Sequence, residues 1–152
     1  MVSITIRPAQ QEDQQTIVDF IRQAHINSRN LNWERFLVAE EERRVVGIRQ
    51  VRIHTAGTRE VGSGFVLPKY RNRGISAQLM NEILSREKGT LYLMCRDKWI
   101  PYYEQFGFRE AALNQLPADF LKEYRIGRFI TSFISIFRKD KIRIIPMRRE
   151  QP

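Results

Sequence analysis

The sequence predicts an α/β (α+β) fold, with a mixed, mostly antiparallel central sheet and helices on both faces. Three observations carry this. Residues 36–67 hold three short strand-like runs separated by charged or glycine-containing turns, the pattern of an antiparallel meander. A helix-period segment at residues 74–87 separates the last of these runs from a compact apolar strand at 91–95, and a strand–helix–strand crossover makes its two strands parallel. Further helix-period stripes lie at 11–25 and 117–137.

In chain order, residues 3–7 alternate and read as a first strand. Residues 11–25 place Ile17, Phe20, Ile21 and Ala24 on one helix face, and 27–32 is a polar loop. Strands two to four fall at 36–40, 45–54 and 60–67. In the third strand the apolar phase slips between Ile48 and Val51, which predicts a bulge near Arg49 or Gln50. The 74–87 helix buries Ile75, Leu79, Met80, Ile83 and Leu84. After the 91–95 strand come a short helix at 99–105, a strand at 108–112, a helical region at 117–137 and a last strand at 142–147. Ile126, Phe129, Ile130, Phe133, Ile134 and Phe137 form a stripe on that helix, and Gly127 is a candidate interruption. Packing on the sheet is the expectation for the stripe; a membrane surface or a second copy in a homodimer are the alternatives.

The 152 residues are the size of one domain, so 1–152 is read as a single unit, with a core at 3–112 and a helix and strand at 117–148 added to it. The N-terminus has no secretory pattern, and no apolar run is long enough to span a membrane. The single thiol, Cys95, offers neither a disulfide nor a Cys cluster for zinc, which fits a reducing compartment, the cytoplasm. Its apolar strand reads as packing rather than nucleophile. Lys and Arg number 26 against 17 acids, net +9, which attracts anions. The basic residues are dispersed without interleaved aromatics, so a phosphate-bearing small ligand is the expectation and nucleic acid is not.

Residues 66–77, VLPKYRNRGISA, lie between a strand and an amphipathic helix. A tight turn there leaves helix N-terminal amides facing outward, an anion site reinforced by the positive end of the helix dipole. Gly74 admits close approach of a phosphate, Ser76 is small and can donate a hydroxyl, and Arg71 and Arg73 add charge.

This segment resembles the acetyl-CoA motif R/Q-x-x-G-x-G/A of the GNAT family of N-acetyltransferases, with Arg71, Gly74 and Ser76 at its fixed positions; Ser76 replaces the usual Gly or Ala. Residues 65–70 are similar to the family's fourth strand entering the turn, and Tyr102–Phe108 resembles its Y-x-x-x-G-F segment. The resemblance covers about residues 3–112. It implies acetyl-CoA as co-substrate and no metal. Strands four and five would splay, with the pantetheine arm along the amides of Phe65, Val66 and Leu67. The pyrophosphate would sit on Arg71, Asn72, Arg73, Gly74, Ile75 and Ser76. Tyr103 matches the family's general acid, able to protonate the departing thiolate. An acceptor amine is mostly protonated at neutral pH and needs a base. Glu60, eleven residues before Arg71, stands at the offset of the base glutamate in the histone-acetylating branch. Pairing of Glu60 with Arg59 or Arg52 is the bland alternative, and His25 and His54 are rival bases. Arg96 stands where many relatives carry an Asn, seven residues before the tyrosine. Trp33, Trp99 and the 129–137 aromatics could line an acceptor groove or fill the core.

The implied activity is direct transfer of acetyl to a primary amine of a small molecule, peptide or protein. The acceptor's identity is not encoded in any motif, and the basic balance leans toward an anionic one. An idle acetyl-CoA-binding module and a nucleic-acid-binding protein are the alternatives.

Overall fold

The computed structural model describes residues 2–151. β1 (Thr5–Pro8) leads through a single 3-10 turn into α1 (Gln14–Ala24). β2 (Phe36–Glu41), β3 (Arg44–Ile53) and β4 (Arg59–Val66) follow, then α2 (Ile75–Arg86) and β5 (Leu91–Arg96). The short α3 (Ile100–Glu104), the two-residue β6 (Arg109–Glu110), the long α4 (Ala118–Ile136) and β7 (Ile144–Arg149) complete the order.

One mixed sheet runs β1-β2-β3-β4-β5-β7-β6. β4 and β5 are parallel, as the crossover requires, and their register covers two pairs, Arg59↔Leu91 and Glu60↔Tyr92. β7 runs antiparallel to both β5 and β6 and lies between them. The described residues group into two compact units. The first extends to Arg52 and resumes over Val61–Glu87; the second holds Ile53–Glu60 and the chain from Lys88 onward.

In the first unit the helices take opposite sides of the sheet, because neighbouring strand residues point in opposite directions. Ile48 packs with Phe36, Val38 and Phe65 against Ile17, Phe20 and Ile21 of α1. Its neighbour Gly47 faces the other way, where a side chain would meet Ile75 of α2 at 3.1 Å. With both faces covered, Phe36, Leu37, Val38 and Ala39 are buried in succession, which explains their unbroken apolar run.

Between β2 and β3 there is no bulge at Arg49 or Gln50. β2 and β3 keep register across both residues, and the irregularity falls between Ala39 and Glu40, opposite Val45 and Gly47. The apolar phase slips because Arg49, Gln50 and Arg52 are themselves buried, so polar letters occupy interior positions. Gly127 does not interrupt α4, which is continuous through it.

The second unit has its own cluster: Tyr92 of β5 with Ala111, Leu116, Phe120 and Tyr124. Only the first half of α4 contributes to it.

Asp13 is a buried carboxylate in the turn before α1. It accepts from Arg7 Nη1 at 2.7 Å and from the Gln10 amide at 2.7 Å, while Arg7 also binds Glu40 at 2.6 Å. Burial works against its charge, but the bonds from Arg7 and Gln10 outweigh it and hold the carboxyl below the usual range. A depressed folded-state pKa contributes stability above the unfolded value of about 3.9, lost as pH falls through the folded value. Asp13→Asn is therefore expected to cost about 2 kcal/mol at neutral pH and to flatten the acid limb of the stability curve; urea melts between neutral pH and pH ~3 read both effects.

Candidate active site

β4 is not a regular strand. Ser63, at its centre, is left-handed with φ 54°, a conformation costly for a non-glycine residue. Three side-chain bonds hold its neighbourhood in place. Ser63 Oγ accepts from Gln50 Nε2 at 2.6 Å and Arg52 Nη2 at 3.0 Å, and Arg49 Nη2 reaches Ser76 Oγ at 3.0 Å. The flanking glycines make room for these guanidinium groups. A Cβ on Gly64 would lie 2.5 Å from Arg49, and one on Gly62 3.4 Å from Arg52. The left-handed position thus belongs to Ser63, and the glycines serve packing.

β4 then enters the 3-10 turn Pro68–Tyr70, where Tyr70 N–H bonds Leu67 O at 2.8 Å. Asn72 and Gly74 both take positive φ, 61° and 75°, and Gly74 caps α2. Gln78 N–H bonds back to Gly74 O at 3.0 Å, so the amides of Ile75, Ser76 and Ala77 precede the helical ladder and have no partner within it. A Cβ on Gly74 would meet nothing of the protein within 4 Å; what demands glycine there is the left-handed backbone.

Arg71 folds back along the turn, its Nε donating to Val66 O at 3.1 Å and its guanidinium lying 5.8 Å from the Phe65 ring. Arg73 is engaged by Glu41 at 2.6 Å and stacks over Tyr70 at 5.2 Å; its guanidinium holds the Glu41 carboxyl below the usual range. Two expectations change here. The Leu67 amide is bonded to Val46 O at 2.9 Å within the sheet, so it is not offered to a ligand, and the Arg73 charge is matched by a carboxylate.

In the second unit, the Y-x-x-x-G-F signature is a helix cap. Gly107, φ 84°, reverses the chain after α3; its N–H bonds Glu104 O at 3.0 Å and Phe108 N–H returns to Tyr103 O at 3.3 Å. This pair of bonds is a Schellman motif, with the Phe108 and Tyr103 rings in the apolar contact that accompanies it, 6.3 Å between centroids. The glycine and the second aromatic thus fix Tyr103. Tyr103 is half-buried, edge-to-face with Tyr102.

Glu60 and His54, read as rivals, are brought together. His54 Nε2 lies 2.7 Å from Glu60 Oε2, both side chains buried, with the His54 ring edge-on to Phe120. His25 is an exposed left-handed cap of α1 and far less suited to acid–base work.

Sequence reasoning missed Asp119, at the start of α4. It accepts from the Ala56 amide at 2.9 Å, the Thr58 amide at 3.4 Å and the Thr58 hydroxyl at 2.6 Å. Burial opposes its charge, but these donors and the Phe120 amide hold its carboxyl below the usual range. Asp119 clamps the turn that carries His54, whose amide bonds Thr58 O at 2.8 Å. The S/T/D signal at a helix start was visible, but its target lies 63 residues away.

Cys95 is buried against Met147, and its thiol is pushed up to about 11 by burial, then by Glu110 and Asp97. It is no nucleophile at neutral pH.

The strand–turn–helix segment lies on a mixed sheet with one parallel pair, the architecture shared with acetyltransferase domains. The chain belongs to the acetyltransferase (GNAT) domain family, whose model matches residues 32–110. Solved structures agree in fold. N-acetylglutamate synthase from Neisseria gonorrhoeae, complexed with coenzyme A and N-acetyl-glutamate, superposes with a TM-score of 0.76 at 19 % identity, over 100 % of this chain and 36 % of that one. The chain thus spans about a third of the synthase's length. A Mycobacterium tuberculosis protein complexed with CoA gives 0.73 at 17 %, covering 97 % and 99 %. A Staphylococcus aureus acetyltransferase of the GNAT family gives 0.66 at 19 %, covering 97 % and 98 %. No curated relative matches the sequence significantly.

Two outcomes follow from the local geometry. Gly107→Ala puts a side chain into a left-handed position 3.0 Å from Arg149 and should cost about 1–2 kcal/mol, read as a lower thermal midpoint with the far-UV spectrum retained. The Cys95 thiol should resist iodoacetamide at neutral pH in the native protein and label promptly in denaturant; rapid native labelling would contradict its burial.

Proposed function

We propose that this chain is an acetyl-CoA-dependent N-acetyltransferase acting on a primary amine by direct transfer. The observation that carries the reading is the Asn72–Gly74 turn at the head of α2, with positive φ at both residues leading into a helix N-terminus, a setting that suits an anion. Its place within the stretch matched by the family supports it.

The pyrophosphate rests on the amides of the turn after Arg71, whose own N–H is bonded to Pro68 O at 3.3 Å, with the Arg71 guanidinium supplying positive potential. The amides of Phe65 and Val66 receive the pantetheine arm, and one of them polarises the thioester carbonyl. The His54–Glu60 pair takes a proton from the acceptor ammonium. The neutral amine attacks the acetyl carbon, the tetrahedral nitrogen releases its surplus proton to solvent, the C–S bond breaks, and Tyr103 gives its proton to the thiolate before recovering one from solvent. Asp119 acts one step removed, holding the turn that positions His54. The chain's net charge of +9 favours an acceptor with a carboxylate or phosphate beside its amine.

CoA release over a panel of amines, with and without an acidic group, tests the reading alongside calorimetry with CoA. Tyr103→Phe and Glu60→Gln should each lower kcat about a hundredfold or more while CoA affinity stays within about twofold. Gly74→Val should abolish CoA binding. A chain that binds CoA yet releases none with any amine is an idle cofactor module, and one that gives no heat with CoA refutes the whole assignment.

A further inference from the structure

From Arg125 onward, α4 is amphipathic with its faces reversed. The hydroxyl side is hydrogen-bonded and half-buried at Thr131 and Ser135. Ser135 Oγ accepts from the Ile142 amide at 3.3 Å and donates to Thr131 O at 2.7 Å, Thr131 Oγ1 donates to Gly127 O at 3.0 Å, and Tyr124 OH bonds Ile144 O at 3.2 Å. The apolar side faces solvent. Phe129 is 75 % exposed, Phe133 59 %, Ile136 74 % and Phe137 78 %, with Ile130 and Ile134 exposed beside them. The expectation that this stripe packs on the sheet therefore fails. A helix normally buries its apolar face, and a contiguous patch of large apolar side chains marks a docking surface.

Charge identifies the occupant. Between residues 125 and 143 stand Arg125, Arg128, Arg138, Lys139, Lys141 and Arg143 against a single carboxylate, Asp140. Pairing this face with a second copy would bring two such cationic sets together with little to neutralise them. An anionic lipid surface neutralises them while its acyl region takes up the phenyl rings. Along the polar side runs a groove of about 460 Å³ lined by Arg128, Thr131, Ser135, Lys141 and Arg143, whose cations and hydroxyls suit a phosphate headgroup. Among the described residues no helix is long and apolar enough to cross a membrane, so the contact lies on the surface.

We propose that the 125–143 segment of this chain docks on the surface of an anionic phospholipid bilayer, with Phe129, Phe133 and Phe137 inserted and the basic residues at headgroup level. This goes beyond acetyl transfer and does not depend on it.

The test is co-sedimentation of the full chain with vesicles of phosphatidylcholine alone or with roughly a third phosphatidylglycerol, at low and physiological salt. Wild type should partition to the anionic vesicles and less so as salt rises. The double variant F129S/F133S should weaken partition about tenfold or more with an unchanged far-UV spectrum, since both rings are exposed. The variant K139E/K141E should erase the preference for phosphatidylglycerol. Wild-type indifference to anionic vesicles, or retained binding by F129S/F133S, would overturn the proposal. So would a dimer in sedimentation equilibrium that F129S/F133S dissociates while vesicles bind neither form, which would assign the face to a second copy.

Discussion

A left-handed serine in the middle of β4 is the constraint on which the candidate site depends. Its conformation costs about 1–3 kcal/mol and persists only where the surroundings over-determine it. Gln50 and Arg52 do so from β3, both bonding the Ser63 hydroxyl. Upstream of Ser63, β4 pairs with β5 in parallel through Arg59 and Glu60; downstream it runs into the Pro68–Gly74 turn. Ser63 thus sits between the parallel pairing at Arg59 and Glu60 and the turn that opens α2. The buried polar residues of β3, which spoil its apolar periodicity, hold that shape.

Much of this was legible beforehand, and the particular failures share a cause. Helix and strand positions follow from periodicity, so α1, α2 and the meander fall where the apolar residues recur. The turn at Asn72–Gly74 and the cap at Gly107 announce themselves because positive φ selects glycine locally. Periodicity is silent about partners. It shows that α4 has two faces but not which is inward. Burial of Arg49, Gln50 and Arg52 mimicked a bulge because a hydrogen-bonded interior polar residue reads like a surface one. His54 and Glu60 flank a short turn and were set against each other, although a hairpin can place such neighbours side by side. Asp119 and Thr58 are 61 residues apart, beyond any local pattern.

α4 joins two different environments. Its first turn anchors the loop bearing His54 through Asp119, and Phe120 and Tyr124 fill the core beside Tyr92. Nine residues after Phe120, Phe129 is three-quarters exposed. The helix is therefore bonded and buried at one end and apolar and exposed at the other, with Gly127 near the crossover and no break between them.

The placement of β7 bears on how the chain matures. It is translated after β5 and β6, yet it lies between them. While the ribosome is still making residues 113–143, β5 and β6 have no partner for the edges that β7 will fill, and such open edges invite pairing with other chains. Completion of this half of the sheet waits on a late arrival threading into an interior slot, a non-local event that slows folding. A nascent polypeptide stalled before Ile144 is thus a candidate client for chaperones that shield bare β-edges.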